Sequence, residues 1–283
     1  MVIRTAKPED AEICGQICYE AFHKIGTDHN FVPDVPVPAA GVAILQGMFS
    51  HPGFYCVVAE DGGRIVGSNC LDERNVIAGL GPITVDPAAQ NARAGRQLME
   101  AVLQRAASRN FAGVRLVQAA FHNRSLSLYT KLGFIAREPL SVMQGPAMGK
   151  GVAGCSVRPA QLSDLDECNR VCLMVHGHHR GGELTDALKR GTATVVERGG
   201  KITGYVTEMA FWGHAVAVAN LDLQALVDSA ASFGGPGILV PTRNAELFRW
   251  CLENGLRVVE PMTLMTMGLY NEPVGGYLPS VLY

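Results

Sequence analysis

The stretch of this chain richest in chemical possibility is VDPAAQNARAGRQLMEAV, residues 85–102. An apolar run ends at Val85, small residues follow, and a helical repeat begins near Arg93 with Leu98, Ala101, Val102 and Ala106 on one face. The first N–H groups of a helix have no intrahelical acceptor and carry partial positive charge. Ala94 and Gly95 leave room for a pyrophosphate to approach them, and Arg93 and Arg96 add charge suited to phosphate. A second group, His176, His178 and His179, has metal-binding residue types but no Asp, Glu or Cys at ligand spacing. It reads mainly as a solvated helix end, where protonated histidine is favourable.

The elements that must position the anion loop can be read around it. Residues 54–60 and 64–71 form a hairpin about Asp61-Gly62-Gly63. Residues 77–85 form a further strand. Pro82 lies inside it and cannot donate to a ladder, so a bulge or a splayed edge is expected there. A helix over 93–109 and a strand over 114–119 follow. HNRSLSLYTKLGF (122–134) reads as a short helix closed by a glycine and followed by a strand. Hairpins first and βα units later predict an α/β (α+β) domain. Its mixed, mostly antiparallel sheet would carry helices on both faces.

The pattern occurs twice. VIRTAKPEDAEICGQIC at the start has a partner in SVRPAQLSDLDECNRVC, pairing Arg4 with Arg158, Asp10 with Asp164, Cys14 with Cys168 and Cys18 with Cys172. Residues 122–134 have a partner in TRNAELFRWCLENGL (242–256), pairing Asn123 with Asn244, Tyr129 with Trp250 and Gly133 with Gly255. Two copies of one architecture, 1–145 and 155–283, are therefore expected, joined through GPAMGKGVAG (145–154).

With its flanks LGPITVDP and RQLM, the loop Gln90-Asn91-Ala92-Arg93-Ala94-Gly95 resembles the Gln/Arg-x-x-Gly-x-Gly/Ala loop of the GNAT N-acetyltransferase superfamily. Asn123, Tyr129, Lys131, Gly133 and Phe134 also match that family's later pattern. Arg93 departs from it, standing where the family prefers glycine. The resemblance covers residues 1–145 and implies acetyl-CoA as acyl donor. Ile83, Thr84 and Val85 would pair with the pantetheine arm. Gln90, Asn91, Ala92, Arg93, Ala94, Gly95 and Arg96 would cradle the pyrophosphate. Asn123 would meet the pantetheine or thioester end, and Tyr129 would protonate the leaving thiolate. The base is open: 77–85 holds no carboxylate, and Asp72 and Glu73 read as solvated charges at a hairpin end.

The second copy lacks the basic anion loop, and Trp250 has no ionisable hydroxyl. It is expected to be a degenerate, non-catalytic partner that completes the fold or the acceptor pocket. The acceptor is expected to be a primary amine of a small molecule, in a site lined by the first helix and a loop over residues 24–50 with Asp28, His29 and Asp34. The competing reading is a non-catalytic acyl-CoA-binding or regulatory protein on a decayed fold. A Rossmann enzyme is excluded because no G-x-G-x-x-G follows the first strand.

Composition bounds these readings. The chain has 283 residues, 48% apolar and 18% charged, with mean hydropathy +0.14. That is enough to bury a substantial core and argues against disorder. A net charge of −2 and a pI near 6.4 argue against nucleic-acid and membrane partners. Eight cysteines without C-x-x-C spacing read as reduced, packed thiols, the i,i+4 pairs lying on helix faces. No apolar leader or 18-residue apolar run is present, so the expected location is the cytoplasm. A homodimer is compatible with all of this, and GGYLPSVLY (275–283) is expected to pack on a sheet edge or on a partner.

Overall fold

A computed structural model describes residues 1–89 and 93–283; Gln90, Asn91 and Ala92 lie outside the described residues. The first half runs β1 (Val2–Thr5), α1 (Ala11–Asp28), α2 (Pro38–Ser50), β2 (Phe54–Asp61), β3 (Arg64–Asp72), β4 (Ile77–Leu80), β5 (Thr84–Val85), α3 (Ala94–Ser108), β6 (Gly113–Ala119), α4 (Asn123–Lys131) and β7 (Ile135–Gln144). The second runs β8 (Cys155–Pro159), α5 (Leu165–His176), α6 (Gly181–Arg190), β9 (Thr194–Arg198), β10 (Lys201–Val206), β11 (Ala215–Ala217), α7 (Asn220–Asp228), β12 (Ile238–Pro241), α8 (Ala245–Glu253), β13 (Arg257–Gly268) and β14 (Gly276–Leu278). Residues 145–154 form neither helix nor strand.

The strands make two mostly antiparallel sheets, with helices on both faces of the larger. Along β2, Val57 and Ala59 join the core under α3, while Val58 points the other way to Ala11, Cys14 and Leu45 of α1 and α2. The helices α1 and α2 touch backbone to backbone. A methyl on Gly41 would collide with the carbonyl oxygen of Gly15, so the crossing requires glycine there.

The repeat seen in sequence is a repeat of chemistry. Arg4 bridges Asp10 and Glu60, each at 2.7 Å, and Arg158 bridges Asp164 and Glu197, each at 2.7 Å. In both copies the aspartate also accepts a backbone N–H at the helix entry, from Lys7 and from Gln161, at 2.8 Å. The arginine beside each aspartate holds its carboxyl below the ordinary range.

The sheets do not divide as the sequence does. The larger has the order β1-β2-β3-β4-β6-β13-β7-β12, with β5 attached to β3; the smaller is β14-β11-β10-β9-β8. The strand after α4, β7, pairs with β12 rather than with β6 (Leu239↔Val142). The strand after α8, β13, takes the place beside β6 (Met262↔Ala119 through Gly268↔Gly113). The halves thus exchange their late strands, and β13 and β7 pair with each other. Met262, Leu264 and Met265 of β13 are buried in cores that include first-half residues.

Candidate active site

The strand expected over 77–85 breaks at Gly81–Pro82. β4 pairs β6 in parallel only from Ile77↔Gly113 to Gly79↔Arg115, and β5 then pairs β3 alone (Gly67↔Val85). Beyond that point β5 and β6 are not paired to one another, and the far edge of β5 borders a cleft of about 550 Å³. The cleft brings together Ile83, Thr84, Val85, Arg93, Ala94, Gly95, Arg96, Asn123 and Tyr129. Gln90, Asn91 and Ala92 lie outside the described residues.

The helix after the loop starts at Ala94, one residue later than expected, with Arg93 as its N-cap at φ 64°. This left-handed conformation costs a side-chain-bearing residue about 1–2 kcal/mol, which accounts for the glycine preferred in the resembling loop. The Arg93 side chain makes no capping hydrogen bond to the helix, and the first helical residues Ala94, Gly95 and Arg96 line the cleft. Ala94 turns its methyl into the core beneath, so its smallness also serves packing. The mouth carries Lys24, Arg93, Arg96 and Arg124 against one carboxylate, Asp28. Lys24 pairs with Asp28 and Arg96 with Glu100, both at 2.7 Å. Lys24 and Arg124 were not identified from sequence; a helix C-terminal lysine and the residue after Asn123 were the available signals.

Tyr129 sits on α4 with its ring edge-on to Phe134, centroids 6.2 Å apart. Burial raises its phenol well above the ordinary value, so it stays protonated at neutral pH. Burial, with His29 and Arg124 nearby, lowers His122, so that imidazole is neutral at pH 7 and can accept a proton. His122 also lines the cleft.

Three expectations require correction. Asp72 and Glu73 are not solvated: Asp72 is buried against Arg74 at 2.6 Å, and Glu73 holds Arg105 at 2.7 Å. Residues 24–50 are not one loop, because 38–50 form α2. Asp34, ahead of α2, faces Glu260 of β13, and burial together with the facing carboxyl raises Glu260. His176 and His178 are buried rather than a solvated helix end, and His178 Nε2 lies 2.7 Å from the Tyr283 hydroxyl. No cluster of three metal-ligating side chains occurs among the described residues.

In the second half the corresponding edge is closed. β10 matches β3 in sequence, and Gly204↔Ala217 repeats the pairing Gly67↔Val85. Where β5 leaves its outer edge to the cleft, β11 is paired on that side by β14 (Ala217↔Gly276). Only Val218 and Ala219 separate β11 from α7, so no anion loop exists there. No helix among the described residues is long and apolar enough to cross a membrane.

Comparison with known proteins gives three findings. Residues 16–134 match the profile described as the Acetyltransferase (GNAT) family. No curated protein matches the sequence. Among solved structures, a candidate acetyltransferase from Pyrococcus horikoshii is 19% identical with a TM-score of 0.74, covering 98% of this chain and 92% of its own. A GCN5-related N-acetyltransferase from Sphaerobacter thermophilus is 17% identical with a TM-score of 0.61, covering 96% of each chain. A tandem GNAT protein of the clavulanic acid biosynthesis pathway is 13% identical with a TM-score of 0.54, covering 94% of this chain and 98% of its own. At these identities the likeness concerns the fold.

Proposed function

We propose, from the premise that this chain belongs through residues 16–134 to the GNAT acetyltransferase family, that it transfers acetyl from acetyl-CoA to a primary amine of a small molecule. Both substrates would be bound together. The observation that carries the reading is the cleft, in which a one-sided strand edge, a helix N-terminus, a cationic lining and a buried phenol converge. An extended amide-bearing arm fits the edge of Thr84–Val85, and a pyrophosphate fits the N–H groups of Ala94–Arg96 with Arg93 beside them. Gln90, Asn91 and Ala92 belong to the same proposed cradle. Acetyl-CoA supplies an activated acyl carbon and a thiolate leaving group.

The chain's own residues do the rest. Asn123, at the start of α4, positions the thioester end. Tyr129 donates its proton to the departing sulfur, a role suited to a phenol that burial keeps protonated. With Asp72 and Glu73 held in ion pairs, His122 is the neutral base lining the cleft, taking the amine proton directly or through water. The halves take the roles of a catalytic unit at 1–145 and a degenerate partner at 155–283. The closure of β11 by β14 supports one donor site per chain.

The test is Tyr129→Phe, which keeps the ring and removes the proton donor. Thiol release should fall roughly 10²-fold or more, with acetyl-CoA affinity unchanged. Unaltered turnover would refute the assignment. Arg93 in a strained cap favours the second reading, a non-catalytic acyl-CoA-binding protein. Acetyl-CoA binding without thiol release on any amine would select it.

A further inference from the structure

One buried cation plays no part in the chemistry above. Arg115 stands in the middle of β6 and is 2% exposed. Its neighbours Val114 and Leu116 enter the core under α3, so Arg115 points to the opposite face, with Val117 and Ala119. It pairs with Gly79 at the last rung joining β4 and β6, and thus marks the apex at which those strands part. Tyr283 covers one guanidinium contact at 4.0 Å and Tyr270 another at 5.0 Å. Such stacking leaves the edge of the group to make hydrogen bonds.

That edge has no protein acceptor. Nε and Nη2 of Arg115 are buried without a hydrogen-bond partner among the described residues. These two atoms form the fork with which this protein grips carboxylates elsewhere: Arg198 holds Asp222 through Nε at 2.7 Å and Nη2 at 2.9 Å, and Arg105 holds Glu73 at 2.7 and 2.9 Å. Glu183 is held by Arg180 and His214, and Glu138 is held through Oε2 by Arg243 while its Oε1 is buried without a partner among the described residues. The Tyr270 and Tyr277 hydroxyls close by are likewise buried and unpartnered. A buried guanidinium without a counter-charge is among the costliest arrangements in a protein interior. An unpartnered Nε/Nη2 fork with a tyrosine hydroxyl beside it is suited to an anion.

We infer that Arg115 binds the carboxylate of the acceptor, so that the acetylated amine belongs to an amino acid or another small amine bearing a carboxylate. This rests on the acetyl-transfer reading. It adds that the acceptor is held from the face of the sheet opposite α3, at the apex of the strand gap, with the fork setting its orientation. Arg115 is then a specificity-determining residue.

The test compares matched acceptors with and without the carboxylate, such as phenylalanine against phenethylamine and alanine against ethylamine, by thiol release with the full chain. A bidentate charge-assisted pair predicts that kcat/KM favours the carboxylate-bearing member by roughly tenfold to a hundredfold. In Arg115→Lys, which keeps the charge but loses the fork, and in Arg115→Gln, that ratio should fall toward one. The wild-type ratio needs no variant and is read first. A ratio near one in both pairs overturns the inference while acetyl transfer stands, and so does a ratio that survives in either folded variant. If no amine is acetylated, the acetyl-transfer reading fails and calorimetry with propionate decides the site. Binding in the wild type that is lost in Arg115→Lys supports a carboxylate fork, and no binding in the wild type removes it.

Discussion

Cutting the chain after residue 145 should leave a first half that cannot hold its own sheet together. The cut removes β13, the neighbour of β6 along its whole length from Gly113 to Ala119. Met262, Leu264 and Met265 would leave the core with it, each now 3% exposed or less. Burying a side chain of that size is worth about 1.5–3 kcal/mol, so the three together account for roughly 5–9 kcal/mol. A domain's whole net stability is only about 5–15 kcal/mol. The freed edge of β6 also invites pairing between copies. Residues 1–145 should therefore appear as aggregate or as a state lacking a cooperative melt, by size-exclusion chromatography and near-UV circular dichroism. Supplying residues 146–283 in trans should restore a soluble complex. The reasoning fails if the fragment is monomeric and melts cooperatively near the temperature of the full chain. In that case β7 would have swung back beside β6, and the exchange would contribute little.

Other outcomes follow from single positions. Glu260 has its folded value raised from 4.5 to about 9, so across that window the native state keeps a proton that the unfolded chain releases, and stability falls as pH rises. Glu260→Gln should flatten the decline of Tm over that window and melt higher than the wild type at its alkaline end; an unchanged slope would show that Glu260 does not titrate this way. Arg93→Gly should relieve about 1 kcal/mol of left-handed strain while weakening acetyl-CoA binding, seen as a higher Tm with a larger Kd; tighter binding would count against a phosphate role. Gly41→Ala should cost about 1–3 kcal/mol by forcing α1 and α2 apart, measured by denaturant unfolding, and a neutral effect would mean the helices separate without penalty.

What could be read in the sequence was what lies close together along it. The anion loop and its helix are contiguous, so small residues, arginines and helical period announced the cleft before its walls were known. The repeat was legible because Arg4 and Asp10, like Arg158 and Asp164, are six residues apart and make one local motif. Glu60 and Glu197, which complete both bridges, belong to other strands and gave no local sign. The strand exchange was hidden for the same reason: alternation says that β7 and β13 are strands, but not which neighbour each will take. Asp72, His176 and His178 read as surface groups because their type favours solvent; Tyr283 reaches His178 from a distant segment, whereas Arg74, two residues along the chain, pairs with Asp72 in a buried setting that its sequence spacing does not reveal. Arg115 did carry a signal, a charge inside the mostly apolar run GVRLVQA, and its parity on β6 identifies the face it occupies.

The crossed pairing of β6 with β13 also sets a schedule for the chain during synthesis. When Ala119 leaves the ribosome its partner Met262 has not been made, and at about 5–20 residues per second the interval is on the order of ten seconds. Throughout it β6 has an open edge, with the side chains that β13 will cover exposed to other nascent chains. In the first half β7 can shield it, in an arrangement that must be undone before the native order can form. Refolding from denaturant should be slow for the same reason, since contacts this distant in sequence form only after much of the chain has lost its freedom.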